Sequence, residues 1–142
     1  MAHQLSVFAE NKPGRIERIT GILAEAQVNI RAITIASSNG FGVINLLVDQ
    51  PDVAYEALKL RGISVLRKDI LALLMPDQPG GLHSVARVLC EKGINIEDAY
   101  GFVIEDKRRA VLVVDVEKIP EAEVVLREAG IEILADEEIY AL

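Results

Sequence analysis

Cysteine occurs once in the 142 residues, at Cys90. A lone cysteine excludes an intramolecular disulfide framework and any multi-cysteine metal site, and it fits the reducing interior of a cell. Long apolar runs are also missing. The longest, Ile70 to Pro76, falls far short of the ~18 apolar residues needed to cross a bilayer, and the N-terminal segment lacks the basic and apolar regions of a signal peptide. The expectation is a cytoplasmic protein. A basic surplus is absent as well: 15 Lys+Arg stand against 22 Asp+Glu, for a formal net charge of -7. Residues 1–70 carry 8 basic and 7 acidic side chains and residues 71–142 carry 7 and 15, so neither half offers a basic footprint for nucleic acid or anionic lipid. Aromatic residues make up only 4% of the chain, yet 51% is hydrophobic, the composition of a globular protein. The length allows either one domain or two small ones.

Self-comparison settles that choice. An offset of 66 residues brings Asn11-Lys12-Pro13-Gly14-Arg15-Ile16 over Asp77-Gln78-Pro79-Gly80-Gly81-Leu82. At the same offset Leu23 falls on Leu89, Glu25 on Glu91, Asn29-Ile30 on Asn95-Ile96, and Val48-Asp49 on Val114-Asp115. With two or three residues inserted in the second copy, Gly62-Ile63 meets Gly130-Ile131 and Ile70-Leu71-Ala72-Leu73 meets Ile139-Tyr140-Ala141-Leu142. The chain is expected to hold two copies of one unit, domain 1 at residues 1–69 and domain 2 at 70–142.

Within each copy the periodicity changes in kind. Leu5, Val7 and Ala9 alternate as a strand, and after the Pro-Gly loop Ile16, Ile19, Ile22, Leu23 and Ala26 recur at helical spacing. Val28 to Ala36 alternates again, Ser37-Ser38-Asn39-Gly40 is turn chemistry, and Val43 to Val48 is a second extended run, which together predict a hairpin. Pro51 opens a helix with Val53, Ala54, Ala57 and Leu58 on its inner face, Gly62 stops it, and Ile63 to Leu66 is a short strand. The second copy repeats this with Leu82, Val85, Val88 and Leu89 on its first helix, a hairpin turning at Glu105 to Arg109, and a second helix from Pro120 to Gly130. The predicted fold class is α+β: two ferredoxin-like βαββαβ units, each an antiparallel sheet with its helices on one face. In Val43 to Val48, Ile70 to Met75 and Ala110 to Val114, residues pointing to both faces are apolar, so the face away from the helices must also be covered. Either the two units pack sheet against sheet, or they lie side by side and another chain covers them. The expectation is a homodimer.

These residues resemble the ACT domain, a βαββαβ unit of similar length. Its most recognisable stretch is a strand, an Asn/Asp-x-Pro-Gly loop, an amphipathic helix, and Asn-Ile at the start of the second strand. Copy one has Ala9-Glu10-Asn11-Lys12-Pro13-Gly14-Arg15-Ile16 and then Gln27-Val28-Asn29-Ile30. Copy two has Asp77-Gln78-Pro79-Gly80-Gly81-Leu82 and then Gly93-Ile94-Asn95-Ile96. ACT domains usually regulate amino-acid metabolism by binding a small ligand, most often an amino acid, at the interface between two ACT units. The resemblance therefore implies a tandem sensor or regulatory subunit and not an enzyme, with no cofactor, acting on a separate enzyme or regulator chain. It also implies that ligand contacts come from Asn11, Pro13, Gly14, Arg15, Ile16, Asn29 and Ile30 in copy one, and from Asp77, Pro79, Gly80, Gly81, Leu82, Asn95 and Ile96 in copy two.

The loop chemistry supports that idea on its own terms. A glycine beside a helix start lets backbone approach a ligand, and the free N–H groups around Gly14, Arg15 and Ile16 favour a carboxylate. The side-chain oxygens of Asn11 and Asp77 can accept hydrogen bonds from an α-ammonium group, and Asn29 and Asn95 can contribute from a neighbouring unit. The copies differ: Asp77 is charged where Asn11 is neutral, Gly81 replaces Arg15, and Glu97 replaces Arg31. Two nonequivalent sites, or a single competent one, are both compatible with that pattern.

Several signals have plainer readings. Asn-x-Pro-Gly alone is a good strand-to-helix turn, since Pro presets φ, Gly relieves the turn and Asn caps well. Cys90 is expected to be a small, partly buried apolar residue on its helix and His83 to face solvent, and with His3 they make no metal or nucleophile set. Gly40-Phe41-Gly42 lacks the context of a dinucleotide loop and fits a hairpin. Glu105 to Arg109 fits a solvated tip, and Tyr100 and Phe102 fit core packing or an interface cleft. Ile139 to Leu142 is expected to be a strand-like piece added to a sheet edge beside copy one. The leading expectation is a non-catalytic regulatory protein that binds an amino acid or similar carboxylate and modulates a partner. The alternative is a ligand-independent dimerisation or docking module.

Overall fold

The computed structural model describes residues 2–104 and 108–142. Its elements run β1 (Ala2–Glu10), α1 (Arg15–Glu25), β2 (Ile30–Ser38), β3 (Phe41–Val48), α2 (Pro51–Leu60), β4 (Ser64–Pro76), α3 (Gly81–Glu91), β5 (Ile96–Ile104), β6 (Arg109–Val116), α4 (Ile119–Glu128), β7 (Glu132–Ile133) and α5 (Asp136–Tyr140). The chain separates into two compact units. The first comprises His3–Lys68 with Tyr140–Leu142, and the second comprises Ala2 with Asp69–Ile139. Both are βαββαβ, as the alternating periodicities predict.

In the first unit the strand order is β2-β3-β1-β4, and the β1/β3 and β2/β3 pairs are antiparallel. Leu5 and Val7 of β1 and Ile44, Leu46 and Val48 of β3 meet Ile19, Ile22 and Leu23 of α1 and Ala54 and Leu58 of α2 in one core. On α2 the buried residues are Pro51, Ala54 and Leu58. Val53 is exposed, a correction to its expected inward place: Ala54 and Leu58, four residues apart, hold the stripe. The hairpin turns through Asn39 and Gly40, both at positive φ (52° and 81°), as a two-residue turn matched to strand twist demands.

The second unit repeats the plan as β7-β4-β6-β5. Leu71, Leu73, Val85, Leu89, Leu112, Val114, Ala122 and Leu126 form its core. The first helix buries Val85 and Leu89, while Leu82 is exposed and not part of the inner face. Strand register corrects one sequence match. Ile30 pairs with Val48 in the first unit and Ile96 pairs with Val116 in the second, so Val48 corresponds to Val116 and not to Val114. Two extra residues thus enter at the β5–β6 connection. Glu105, Asp106 and Lys107, on which the solvated-tip reading falls, lie outside the described residues.

A second correction concerns the C-terminus. Residues 136–140 form the short helix α5, not a strand. Three acidic residues, Asp136, Glu137 and Glu138, open it, and the Glu138 carboxylate accepts the Ala135 backbone N–H at 3.1 Å, the reciprocal half of a capping box. The closing residues still belong to the first unit. There the His3 backbone N–H donates to the Tyr140 hydroxyl at 3.1 Å, and Arg31 Nη2 donates to the Tyr140 carbonyl at 3.1 Å.

Residues on the sheet faces away from the helices are buried too, among them Leu47 in the first unit and Ile70, Ala72, Val111 and Val113 in the second. No helix among the described residues is long and apolar enough to cross a membrane.

Candidate functional site

Two loop-to-helix junctions carry the motif residues. In the first unit the Asn11 N–H donates to the Gly40 carbonyl at 2.8 Å, tying the loop to the hairpin turn. Gly14 then takes φ +90°, a left-handed conformation that only glycine adopts without strain, and the Arg18 N–H closes onto its carbonyl at 3.0 Å to start α1. The second unit builds the same path. The Asp77 N–H donates to the Arg108 carbonyl at 2.9 Å, Gly80 takes φ +87°, and the Ser84 N–H closes onto Gly80 at 3.0 Å. No side chain caps either helix, but the Arg15 and Gly81 N–H groups donate back to the Lys12 and Gln78 carbonyls at 3.2 and 3.0 Å, a correction to the expected free Arg15 N–H. An anion would have to use the N–H groups of the next two residues. Asn11 and Asp77 are exposed, and neither side chain makes a hydrogen bond among the described residues. Pro13, Gly14, Pro79, Gly80 and Leu82 are exposed as well, whereas Arg15 and Ile16 are half-buried and Gly81 is buried.

The remaining motif residues sit elsewhere. Helix α1 has 11 residues, a length of about 16 Å, and Asn29 follows its far end. The Asn29 N–H donates to the Asp49 carboxylate at 2.9 Å, and the Asp49 N–H returns a bond to the Asn29 carbonyl at 3.1 Å. Ile30 and Ile96 pack against their respective cores. The sequence-predicted set therefore divides within each unit into a loop group and a strand-start group at opposite ends of the first helix. A cavity of about 360 Å³ beside α3 is lined by Cys90, Asn95 and Ile96 among others. Cys90 is exposed, against its expected partial burial, because Val85 and Leu89 define the inward face of α3.

One cavity joins a motif residue to groups that the sequence reading missed. It measures about 270 Å³ in the first unit and is lined by Phe8, Glu10, Arg15, Arg18, Ile19, Phe41 and the 62–64 turn, among others. Arg15 and Arg18 lie three residues apart on α1 and are therefore neighbours on its surface. That spacing was the signal available in the sequence. Arg18 Nη2 donates to the Arg61 carbonyl at 3.1 Å. Glu10 pairs with Lys12, and that hydrogen bond and charge hold the Glu10 carboxyl below the usual range, with Arg15 adding to the same effect. A larger cavity of about 450 Å³ in the second unit, near Glu123, Arg127 and Asp136, contains none of the motif residues.

Elsewhere Tyr100, on β5, has its hydroxyl pushed well above the ordinary tyrosine range, first by burial and then by the charge of Asp98. Among the described residues no group of three His, Cys, Asp or Glu is placed to hold a metal ion.

Comparison with known proteins gives a coherent picture. A family model described as an ACT domain pair matches residues 1–142. No curated protein matches. Among solved structures, protein BT0572 from Bacteroides thetaiotaomicron is 35% identical, with a TM-score of 0.93 over 99% of this chain and 96% of that one. The regulatory subunit of aspartate kinase from Thermus thermophilus shares the fold at 19% identity and a TM-score of 0.68, over 90% of each chain. The corresponding subunit from Thermus flavus does so at 18% identity and 0.64, over 88% of each.

Proposed function

The chain belongs to the family of ACT domain pairs, and from that premise we propose that it is a non-catalytic regulatory protein. It binds an amino acid or a similar small carboxylate and thereby changes its association with a separate enzyme or regulator. The observation that carries this reading is the pair of loop-to-helix junctions, each with a left-handed glycine before the helix and an exposed, uncommitted Asn11 or Asp77 side chain. Amide N–H groups at the helix start suit a carboxylate, and the Asn or Asp oxygen suits an ammonium group. The fold shared with regulatory subunits of aspartate kinase fits the same role, as an analogy of fold. Regulation would follow from differential affinity: the ligand favours whichever arrangement completes its site, and the partner reads that shift.

The test is a thermal-stability titration with the twenty amino acids and several 2-oxo acids. A ligand at 100 times its Kd adds about 2.7 kcal/mol of stability. A selective rise that disappears in Asn11→Ala or Asp77→Ala supports the reading, and a flat response across the panel contradicts it.

A second reading, a dimerisation or docking module that needs no ligand, is favoured by β2. That strand pairs only with β3 among the described residues, and its Ile33 and Ile35 are 42% and 50% exposed. Sedimentation of wild type against Ile33→Lys/Ile35→Lys tests it. A wild-type homodimer that the double variant dissociates supports this reading, and a wild-type monomer dismisses homodimerisation.

A further inference from the structure

We propose that the cavity beside Arg15 in the first unit is a binding site for a small organic anion, a carboxylate with a branched or aromatic apolar tail and no ammonium group. This rests on the regulatory reading above but takes only its small-carboxylate branch, at a cavity that Asn11 does not line. The charges at the cavity decide the class. Two guanidinium groups, Arg15 and Arg18, line it, and among the described residues neither pairs with a carboxylate; the hydrogen bond that Arg18 makes goes to a neutral carbonyl. The carboxylate of Glu10 is engaged by Lys12. A zwitterion would bring its ammonium group to two guanidinium groups and to a Glu10 carboxylate already shared with Lys12, the less favourable balance of charge. A net anion meets complementary charge, and guanidinium groups match a carboxylate in geometry as well as sign.

The apolar lining sets the rest of the ligand. Phe8, Ile19, Phe41 and Ile63 border the same space, and Phe8 and Phe41 are 40% and 66% exposed although large and apolar. Burying such aromatic surface against a ligand tail is favourable. A volume of about 270 Å³ lies just below the ~300–1,000 Å³ usual for small-molecule sites. It suits a molecule of amino-acid size.

The second unit cannot reproduce this site. By strand register and helix position, Leu74, Gly81, Ser84 and Arg109 stand where the first unit has Phe8, Arg15, Arg18 and Phe41. Gly81 also admits no side chain, because a Cβ there would lie 2.4 Å from the Pro76 carbonyl oxygen.

Calorimetric titration of the full chain with 4-methyl-2-oxopentanoate, L-leucine and 3-methylbutylamine tests the proposal. The oxo acid is expected to bind at least tenfold more tightly than L-leucine, the amine not at all, and the affinity to fall as NaCl rises. Arg15→Gln and Arg18→Gln should each weaken oxo-acid binding tenfold or more, with circular dichroism confirming that both variants fold, while Arg87→Gln in the second unit leaves it unchanged. No oxo-acid binding, or binding that survives both substitutions, overturns the proposal. Amino-acid binding that survives both overturns it too, yet leaves the regulatory reading standing. Oxo-acid binding lost in the arginine variants, with no effect on assembly or partner affinity, keeps this site and defeats the regulatory reading.

Discussion

The two units enter their first helices by the same backbone path and present different chemistry on it. The Asn11 and Asp77 amides both tie to the neighbouring hairpin, Gly14 and Gly80 both turn left-handed, and both helices end in the same pair of bonds, with Val28 N–H to Leu23 and Ile94 N–H to Leu89. Beyond the backbone they diverge. The first unit projects Arg15 and Arg18 where the second has Gly81 and Ser84, and the first pairs Ser6 with Asn45 across β1 and β3 where the second sets Ala72 against Val113. A duplicated fold keeps what the chain path requires, glycines and core residues, and frees the remaining positions to specialise.

Exchanging residues between the copies tests which differences the structure tolerates. The largest effect is expected at Gly81→Ala, where the added Cβ collides with the rigid Pro76 carbonyl. Denaturant titration should show a loss of about 2 to 4 kcal/mol, against about 0.5 kcal/mol or less for Arg15→Ala at the equivalent place. Next comes Asn45→Val, which imports the second unit's residue alone and strands the buried Ser6 hydroxyl, whose bond to Asn45 Oδ1 is 2.7 Å. That should cost about 1 to 3 kcal/mol, and the Ser6→Ala/Asn45→Val double variant should recover most of it in a double-mutant cycle. Ending the chain at Ile139 removes the Tyr140 acceptors of His3 and Arg31 and should lower stability by about 1 to 2 kcal/mol, visible as a lower melting temperature. The smallest effect is a gain. Gln27 holds φ +58° where Gly93 holds +68°, so Gln27→Gly should stabilise by up to about 1 kcal/mol and Gly93→Gln should do the opposite.

Much of this plan was legible because it obeys short periods. The stripes Ile19/Ile22/Leu23 and Val85/Leu89, the alternation in β1 and β3, and the Pro-Gly loops each follow from local rules, and duplication confirmed them. The C-terminal helix was not legible by repeat matching, because Ile139-Tyr140-Ala141-Leu142 looks like Ile70 to Leu73 while Asp136-Glu137-Glu138 sets a helix start that the first copy lacks. The position of the hairpin insertion was missed because β6 is apolar almost throughout, so a shift of two residues leaves the pattern unchanged. The candidate site was half legible. Arg15 stood in the motif, but Phe8, Arg18, Phe41 and residues 62–64 come together only through the fold.

The claim that the first unit carries the ligand site is tested most directly by residue-resolved NMR of the full chain titrated with 4-methyl-2-oxopentanoate. The account predicts saturable amide shifts confined to Phe8–Ile19, Phe41 and Gly62–Ser64. Shifts in the equivalent second-unit residues, Leu74–Val85, or no shifts at millimolar ligand, would contradict it.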